Sequence, residues 1–474
     1  MKPFFQHNGQ TIYQGHVMDV LMAMPDESVH MVCTSPPYWG LRDYNIEPQV
    51  WDDPGDCQHE WGDEIPGKNQ GGGIDTGVLK GGGNADDRNH FESTSQFCRH
   101  CQAWRGSLGL EPTPDLFVSH LVQVFREVKR VLRKDGTLWL NLGDSYAQSG
   151  GKHSTAAEAK EIIKANKEAG YSGGGLTGWG GKRAANTAVS GLKPKDLCMM
   201  PARVALALQA DGFYLRQQII WAKGVSFCDT YSGSVMPESV RDRFCSSYEV
   251  VYLLSKSPRY FFDLEAVKEK QSAGSHSKGP SPVTLERFEK KSTRADGSIA
   301  HKKWHEYTPL SKLPSGRTPR SVWAINPQAY KQAHFATFPE KLVQKCILSG
   351  TSAKGVCSEC GAPHVRVVEK VKASHDAEDS GSRKGLHGPT YSRHKTKIEG
   401  GQSLVSQSSK TLGWQPSCSC NADTVPAVVL DPFLGSGTVL KVAKQLGRHG
   451  IGAELNPEYC EMAVDRIGAQ EMLW

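Results

Sequence analysis

The chain has 474 residues, of which 38% are hydrophobic and 22% charged, with a formal net charge of +6. That length supplies a large core with insertions, and the mild positive charge permits a nucleic-acid partner without demanding one. No apolar run approaches the ~20 residues of a membrane span, and Met1–His7 has no apolar leader pattern, so neither a membrane protein nor a secreted one is expected; the 13 cysteines then belong to a reducing, cytoplasmic setting.

In chain order, Gln10–Tyr13 alternates as a strand, Asp19–Met24 reads as a short helix and Val29–Cys33 as a buried strand. This strand runs into Thr34-Ser-Pro-Pro-Tyr-Trp39. Pro36 and Pro37 have a fixed φ and no N–H, so they make a stiff corner at the sheet edge. Ser35 adds a hydroxyl and Tyr38 a flat aromatic face. These parts suit the holding of a planar heterocycle against Tyr38, with Ser35 and the Pro36 carbonyl accepting hydrogen bonds from its exocyclic NH2. Such an amine is a poor nucleophile, because its lone pair is delocalised into the ring. Accepting its protons favours a pyramidal nitrogen and so stabilises a transition state above a ground state.

Residues 40–112 are rich in Gly, Asp and Asn and read as irregular polypeptide with no core of its own. Asp115–Arg133 has a helical period, with Pro114 near its start and Asp135-Gly136 at its end. Thr137–Leu142 is a strand, and Asp144 beyond it either faces the pocket or makes an Asx turn. Residues 147–195 are Gly/Ser/Ala/Lys-rich and expected to be mobile. Pro201–Ala210 reads as a helix, and Tyr214–Ala222 and Tyr248–Leu254 as strands; residues 268–320 and 366–412 are polar insertions. Ordered α/β segments broken by polar stretches indicate an open parallel sheet whose loops carry function.

A second motif closes the chain. Ala427–Leu430 is a buried-strand run, followed by Asp431-Pro-Phe-Leu-Gly-Ser-Gly-Thr438, a helix over Val439–Leu446, and a strand His449–Ala453 ending in Glu454. Gly435 and Gly437 let a turn pass close to a ligand and present N–H groups at a helix start. A carboxylate at the end of the second strand is the usual partner of ribose hydroxyls in a doubly wound sheet. No Gly-Lys-Ser/Thr follows, and the spacing is not Gly-x-Gly-x-x-Gly. A nucleoside with a zwitterionic amino-acid tail therefore suits this turn better than a dinucleotide.

The cysteines group by spacing. Cys57-x-His59 with Cys98-x-x-Cys101, and Cys357-x-x-Cys360 with Cys418-x-Cys420, each offer four ligands suited to tetrahedral zinc. Each would tie the ends of a polar loop, structurally and without catalysis, since no coordination position stays open. Free surface thiols are the alternative. Cys33 reads as core packing.

Thr34-Ser-Pro-Pro-Tyr-Trp39 together with Leu430-Asp-Pro-Phe-Leu-Gly-Ser-Gly-Thr438 resembles the S-adenosylmethionine-dependent DNA amino-methyltransferases, which methylate N4 of cytosine or N6 of adenine. The catalytic motif precedes the cofactor motif, as in the permuted β group of that family. Phe335-Ala-Thr-Phe-Pro-Glu-Lys-Leu342 resembles the motif that completes the methionine side of the cofactor pocket. Asn141–Asp144 and Ile219–Lys223 sit where the family has sheet strands, and the matched segments cover roughly half the chain.

The resemblance implies an α/β fold: a Rossmann-like class I methyltransferase sheet in circularly permuted motif order, with polar insertions organised by zinc. It assigns Ser35, Pro36, Pro37 and Tyr38 to catalysis. Asp431, Pro432, Phe433, Gly435, Gly437, Thr438, Glu454, Phe335, Thr337 and Pro339 would bind S-adenosylmethionine, with Asp431 at the methionine amine and Glu454 at the ribose. Residues 1–50 carry the catalytic motif, 51–112 a first zinc-binding insertion, 113–265 further core with the 147–195 loop, and 266–320 a target-recognition region. Residues 321–350 return to the core, 351–422 form a second zinc-binding insertion, and 423–474 bind the cofactor. Arg317 and Arg320, with Trp323, are the candidates for DNA contact beside an ordered segment. The base must leave the stack, because a paired exocyclic amine cannot meet a methyl donor.

Transfer would be direct and in-line. A C5-cytosine enzyme needs a thiolate, typically in a Pro-Cys pair, and the chain has no Pro-Cys dipeptide. Ser at the first motif position leans toward N4 of cytosine, with N6 of adenine as the alternative. A catalytically inactive nucleic-acid-binding protein and an RNA or protein-amide methyltransferase are the other readings. DNA is the expected partner, in the cytoplasm and at the nucleoid of a prokaryotic or phage-type restriction–modification setting, with room for a homodimer and for a separate cognate nuclease.

Overall fold

A computed structural model describes residues 1–40, 46–63, 65–66, 94–147, 192–193, 195–223, 240–269, 317–328, 338–372 and 407–468. It divides into a larger unit of residues 1–262, 320–364 and 416–474 and a smaller one of residues 263–319 and 365–415.

The larger unit is built on a nine-stranded sheet. In chain order its strands are β1 (Phe5–His7), β2 (Gln10–Gln14), β3 (Val29–Thr34), β4 (Leu132–Leu142), β5 (Tyr214–Ala222), β6 (Tyr248–Ser255), β7 (Val322–Ala324), β8 (Val428–Asp431) and β9 (His449–Glu454). Across the sheet the order is β1-β2-β9-β8-β3-β4-β6-β5-β7. The run β2-β9-β8-β3-β4 is parallel throughout, while β6 runs antiparallel to both β4 and β5. The fold is thus mixed α/β with a large, mostly parallel sheet, and the strand before the glycine turn lies at its centre although it comes late in the chain.

Helices cover both faces. They are α1 (Val17–Met22), α2 (Pro114–Val131), α3 (Met200–Ala210), α4 (Glu340–Gly350), α5 (Thr438–Gln445) and α6 (Pro457–Gly468). Successive strand side chains point to opposite faces, so Val32, Leu138, Leu140 and Leu142 join the core under α1, α2 and α3. Met31, Cys33 and Trp139 join the core under α4 and α5. Burial on both sides explains why these strands read as continuous apolar runs. Thr113 caps α2, its side chain accepting from Leu116 N at 3.2 Å, and Pro114 occupies the first turn where a missing N–H costs nothing.

Several expectations shift. The second helix stops at Val131, and β4 begins at once at Leu132, five residues before the expected Thr137. The described part of residues 40–112 is not irregular. It forms a four-stranded antiparallel sheet of Gln49–Trp51, Trp104–Gly106, Thr94–Phe97 and Ile65–Pro66. Trp51 and Trp104 pack into the α2 core, which gives this insertion an anchor that its Gly-rich composition concealed. Likewise, the insertion at 366–412 contributes to two paired strands, His364–Lys372 and Gln407–Pro416. Trp323 is buried in β7 and stacks on Trp139 with ring centroids 6.3 Å apart, so it offers no face to DNA. The expected mobility of residues 147–195 concerns mostly positions outside the described residues.

In the smaller unit, Asp263 caps the short helix Leu264–Val267 and pairs with Arg366 at 2.8 Å. Arg317 pairs with Glu269 at 3.1 Å, both through side chains and through a backbone bridge.

Candidate active site

The proline corner and the glycine turn leave the sheet side by side. β3 and β8 are adjacent and parallel, with Val32 beside Leu430, so both motifs emerge at the carboxyl edge. Thr34 Oγ1 donates to Asp431 Oδ1 at 2.6 Å, and Phe433 N donates to the same oxygen at 3.1 Å. Burial pushes the Asp431 carboxyl up to about 8; the bond from Thr34 opposes this and the charge of Glu454 adds to it. At that value the group is largely protonated at neutral pH, unless a cation is brought to it.

The turn itself is built for close approach. Gly435 has φ +51° and a Cβ there would meet nothing within 4 Å, so this side of the turn is open. Gly437 has φ +79°, and a Cβ there would lie 2.8 Å from Ala463 Cβ, so only glycine packs against α6. Glu454, at the end of β9, accepts from Gly435 N at 2.7 Å and from Leu455 N and Asn456 N at 2.9 Å. It is pushed up by burial and held back by these three amides. A carboxylate offers about four lone-pair sites, so one remains after the three backbone donors. Pro432 is buried, Phe433 is partly exposed, and Thr438 begins α5. Pro339 caps α4, which lies beside α5 through a 2.9 Å Lys441–Glu340 ion pair. Phe335 and Thr337 lie outside the described residues.

At the proline corner, Pro36 is buried, and Ser35, Pro37 and Tyr38 are partly exposed. Gly143 lets the Tyr38 ring rest on the backbone after β4, since a Cβ there would come within 2.7 Å of the ring. The Tyr38 hydroxyl is the centre of a polar network that the motif alone did not announce. Ser35 Oγ donates to it at 3.1 Å and Asn141 Nδ2 at 2.7 Å, and it donates to Glu249 Oε2 at 2.9 Å. Asn141 Nδ2 also donates to Glu249 at 2.9 Å, and Lys223 pairs with the other Glu249 oxygen. The antiparallel direction of β6 places its second residue, Glu249, at the edge where β4 and β5 end. Sequence reading assigned Ile219–Lys223 and Tyr248–Leu254 to strands but gave Lys223 and Glu249 no role; only the Lys and Glu at strand termini could have drawn attention. Asp144 accepts from Ser145 N and Met200 N at 2.9 and 3.0 Å, so it serves the Asx turn and the start of α3.

Both cysteine–histidine sets converge. In each, the four ligand atoms lie within 4.8 Å of one another. Cys57 Sγ and Cys98 Sγ are 3.8 Å apart, and Cys101 Sγ and His59 Nδ1 are 3.5 Å apart. Zinc–sulfur bonds of about 2.3 Å and zinc–nitrogen bonds of about 2.05 Å give tetrahedral edges of about 3.8 Å and about 3.6 Å. His59 Nε2 faces Asp53 at 3.3 Å, the outer partner that orients a ligating imidazole. The two Cys-x-x-Cys turns repeat one backbone design. Cys98 N bonds Ala103 O and Gln102 N bonds Cys98 O; Cys357 N bonds Ala362 O and Gly361 N bonds Cys357 O. Gln102 and Gly361 both take a left-handed φ, +64° and +68°.

Arg320 is exposed and Arg317 is engaged by Glu269. Among the described residues no helix is long and apolar enough to cross a membrane.

Comparison with known proteins agrees with this geometry. A family described as DNA methylase, of the N6/N4 methyltransferase type, matches residues 29–358 and 418–465. The Type II methyltransferase M.Cfr9I of Citrobacter freundii is 28% identical over 464 residues, covering 98% of this chain and 89% of that protein. M.XycI of Xanthomonas campestris pv. cyanopsidis is 29% identical over 463 residues, with the same coverage of 98% and 89%. A solved PvuII DNA methyltransferase described as cytosine-N4-specific aligns with a TM-score of 0.43 at 14% identity, over 98% of this chain and 88% of that one. The family match spans most of the chain and both motif corners, and the chain belongs to the N6/N4 DNA methylase family: it is a DNA methyltransferase.

Proposed function

We propose that this methyltransferase moves the methyl group of S-adenosylmethionine to the exocyclic amine of a base flipped out of duplex DNA, with N4 of cytosine as the acceptor. The observation that carries the reading is the bond between Thr34 and Asp431 at adjacent strand ends, because it makes donor and acceptor pockets neighbours.

The residues at the glycine turn fit the cofactor. Asp431 is buried, raised and without a cation, which suits it to the amino group of the methionine tail. Pro432, Phe433, Gly435, Gly437 and Thr438 would line the nucleoside, Glu454 would take a ribose hydroxyl, and Phe335, Thr337 and Pro339 would complete the methionine side. When bound, the cofactor supplies an electrophilic sulfonium methyl. Ser35 and the Pro36 carbonyl then accept the amine protons, Pro37 stiffens the corner, and Tyr38 stacks on the base. The arrangement corresponds to the circularly permuted β-group order, in which the first motif in the chain is the acceptor site.

Ser35 in place of an acidic first residue favours cytosine. Nucleoside mass spectrometry and methylation mapping of DNA from an expressing host test the base and its context together. N4-methylcytosine is expected; N6-methyladenine alone would reassign the base.

Two structural zinc ions complete the proposal, one at Cys57, His59, Cys98 and Cys101 and one at Cys357, Cys360, Cys418 and Cys420, supported by their tetrahedral spacing. Residues 266–320 would read the target sequence, with Arg320 the better phosphate contact of the two arginines. A restriction–modification role in the cytoplasm, with a separate nuclease, is the setting this reading implies.

A further inference from the structure

Glu249 and Lys223 stand outside both motifs, yet they form the charged end of the network behind the acceptor corner. We infer that Glu249, braced by Lys223, sets the direction of the hydrogen bonds through Tyr38 and Ser35 and receives the proton that the methylated amine loses. The inference rests on the acceptor role given above to Ser35.

The argument is one of donor accounting. A carboxylate only accepts. The single proton of Tyr38 is spent on Glu249 at 2.9 Å, so its oxygen can only accept from Asn141 and from Ser35. The single proton of Ser35 is then spent inward on Tyr38 at 3.1 Å, and both remaining lone pairs of its oxygen are left for an incoming N–H. Asn141 locks this order, because its NH2 group meets two acceptors, Tyr38 and Glu249, and turning the amide would set its oxygen against the carboxylate. That orientation leaves Asn141 Oδ1 buried with no partner among the described residues. Such an orphan costs about 1–3 kcal/mol, and it is tolerated where the NH2 is required.

The same order is a proton exit. As the N–C bond forms, the C–S bond breaks with its electron pair staying on sulfur, and the amine carries one proton too many. That proton moves to Ser35 Oγ, the Ser35 proton to the Tyr38 oxygen, and the Tyr38 proton to Glu249. Charge is conserved, and Glu249 ends as a neutral acid beside Lys223. Glu249 touches neither substrate nor cofactor and is a positioning residue.

Glu249→Gln tests this, because a glutamine can donate as well as accept and so permits the reversed order. Single-turnover transfer from S-adenosyl-[methyl-3H]methionine to genomic DNA of a host lacking DNA methyltransferases is expected to slow by about 100-fold. Cofactor affinity, measured by equilibrium titration, and the melting temperature should stay at wild-type values. Tyr38→Phe should slow transfer comparably, and the double variant should be no slower than Tyr38→Phe alone, since both cut one chain. The solvent deuterium isotope effect of the wild-type rate should vanish in each variant. A wild-type rate in Glu249→Gln, or fully additive losses, would overturn the inference. Should Glu249→Gln not fold, a Tyr38→Phe variant with wild-type rate and isotope effect overturns it equally. A wild-type protein that labels no DNA would instead refute the acceptor role beneath it.

Discussion

Thr34 Oγ1 and Asp431 Oδ1 meet at 2.6 Å across 397 residues of chain, and this bond joins the acceptor corner to the donor turn. It is buried on both sides, so neither group can exchange its partner for water. Replacing Thr34 by Val keeps the shape and removes the donor. Asp431 then keeps only the Phe433 amide on that oxygen, and the protein should lose about 1–3 kcal/mol in urea denaturation. Thr34→Ser, which retains the hydroxyl, should lose well under half of that.

Asp431 also predicts a pH dependence. Its folded-state value is raised to about 8 from the usual 3.8, chiefly by burial. The folded state therefore binds the extra proton, so this stabilisation is complete below about pH 4 and is lost as pH rises toward 8. Glu454 is raised by burial as well and acts in the same direction. Urea midpoints of the cofactor-free protein should fall between pH 5 and pH 8, and Asp431→Asn should flatten that fall. The same variant should bind S-adenosylmethionine at least tenfold more weakly by calorimetry, an outcome that a purely structural Asp431 would not produce.

The two turn glycines should separate stability from affinity. Gly437→Ala brings a Cβ to 2.8 Å from Ala463 at φ +79°, and should cost about 1–3 kcal/mol of stability. Gly435→Ala has open space within 4 Å and carries only the strain of φ +51°, about 1–2 kcal/mol. It should fold, yet lose more cofactor affinity than Gly437→Ala for each unit of stability lost. Equal losses of affinity in the two variants would mean that the open side of the turn does not face the nucleoside.

Metal analysis of the purified protein should find two zinc ions per chain. Cys98→Ser should retain one, lower the melting temperature and change the fluorescence of Trp104, which follows the knuckle in sequence and is fully buried. The effect should reach the acceptor corner. Gly40 N bonds Gly109 O at 2.7 Å and Trp39 Nε1 bonds Glu111 O at 2.9 Å, so the insertion braces the loop that carries Tyr38. Slower methyl transfer with unchanged cofactor affinity is the expected kinetic signature.

His120 clamps the insertion to α2. It is fully buried between Trp51 and Trp104, with centroids at 4.9 and 5.3 Å, and bonds Glu111 and Asp52 at 2.9 and 3.0 Å. His120→Phe keeps the stack and strands the buried Glu111, whose carboxyl burial already pushes up. A loss of about 3–5 kcal/mol is expected from chemical denaturation.

The two motif corners were legible in the chain because each is a local device. Proline rigidity and a glycine's access to positive φ act within a few residues, so Ser35–Tyr38 and Asp431–Thr438 announce themselves wherever the fold places them. The cysteine spacings were readable for the same reason, since a knuckle closes over four residues. The small antiparallel sheet was not, because its core is two tryptophans packed against a distant helix. Glu249 and Lys223 escaped notice because a charged residue at a strand end is ordinarily solvated.

Sequence by itself determined which chemistry the chain carries: a base-holding corner, a nucleoside-binding turn and two sets of metal ligands, all set by short-range stereochemistry. Tertiary structure alone decided that β3 and β8 are neighbours, that Thr34 reaches Asp431, and that Glu249 stands behind Tyr38. Those pairings depend on which strands hydrogen-bond across the sheet and in which direction β6 runs, and no window of neighbouring residues contains that information.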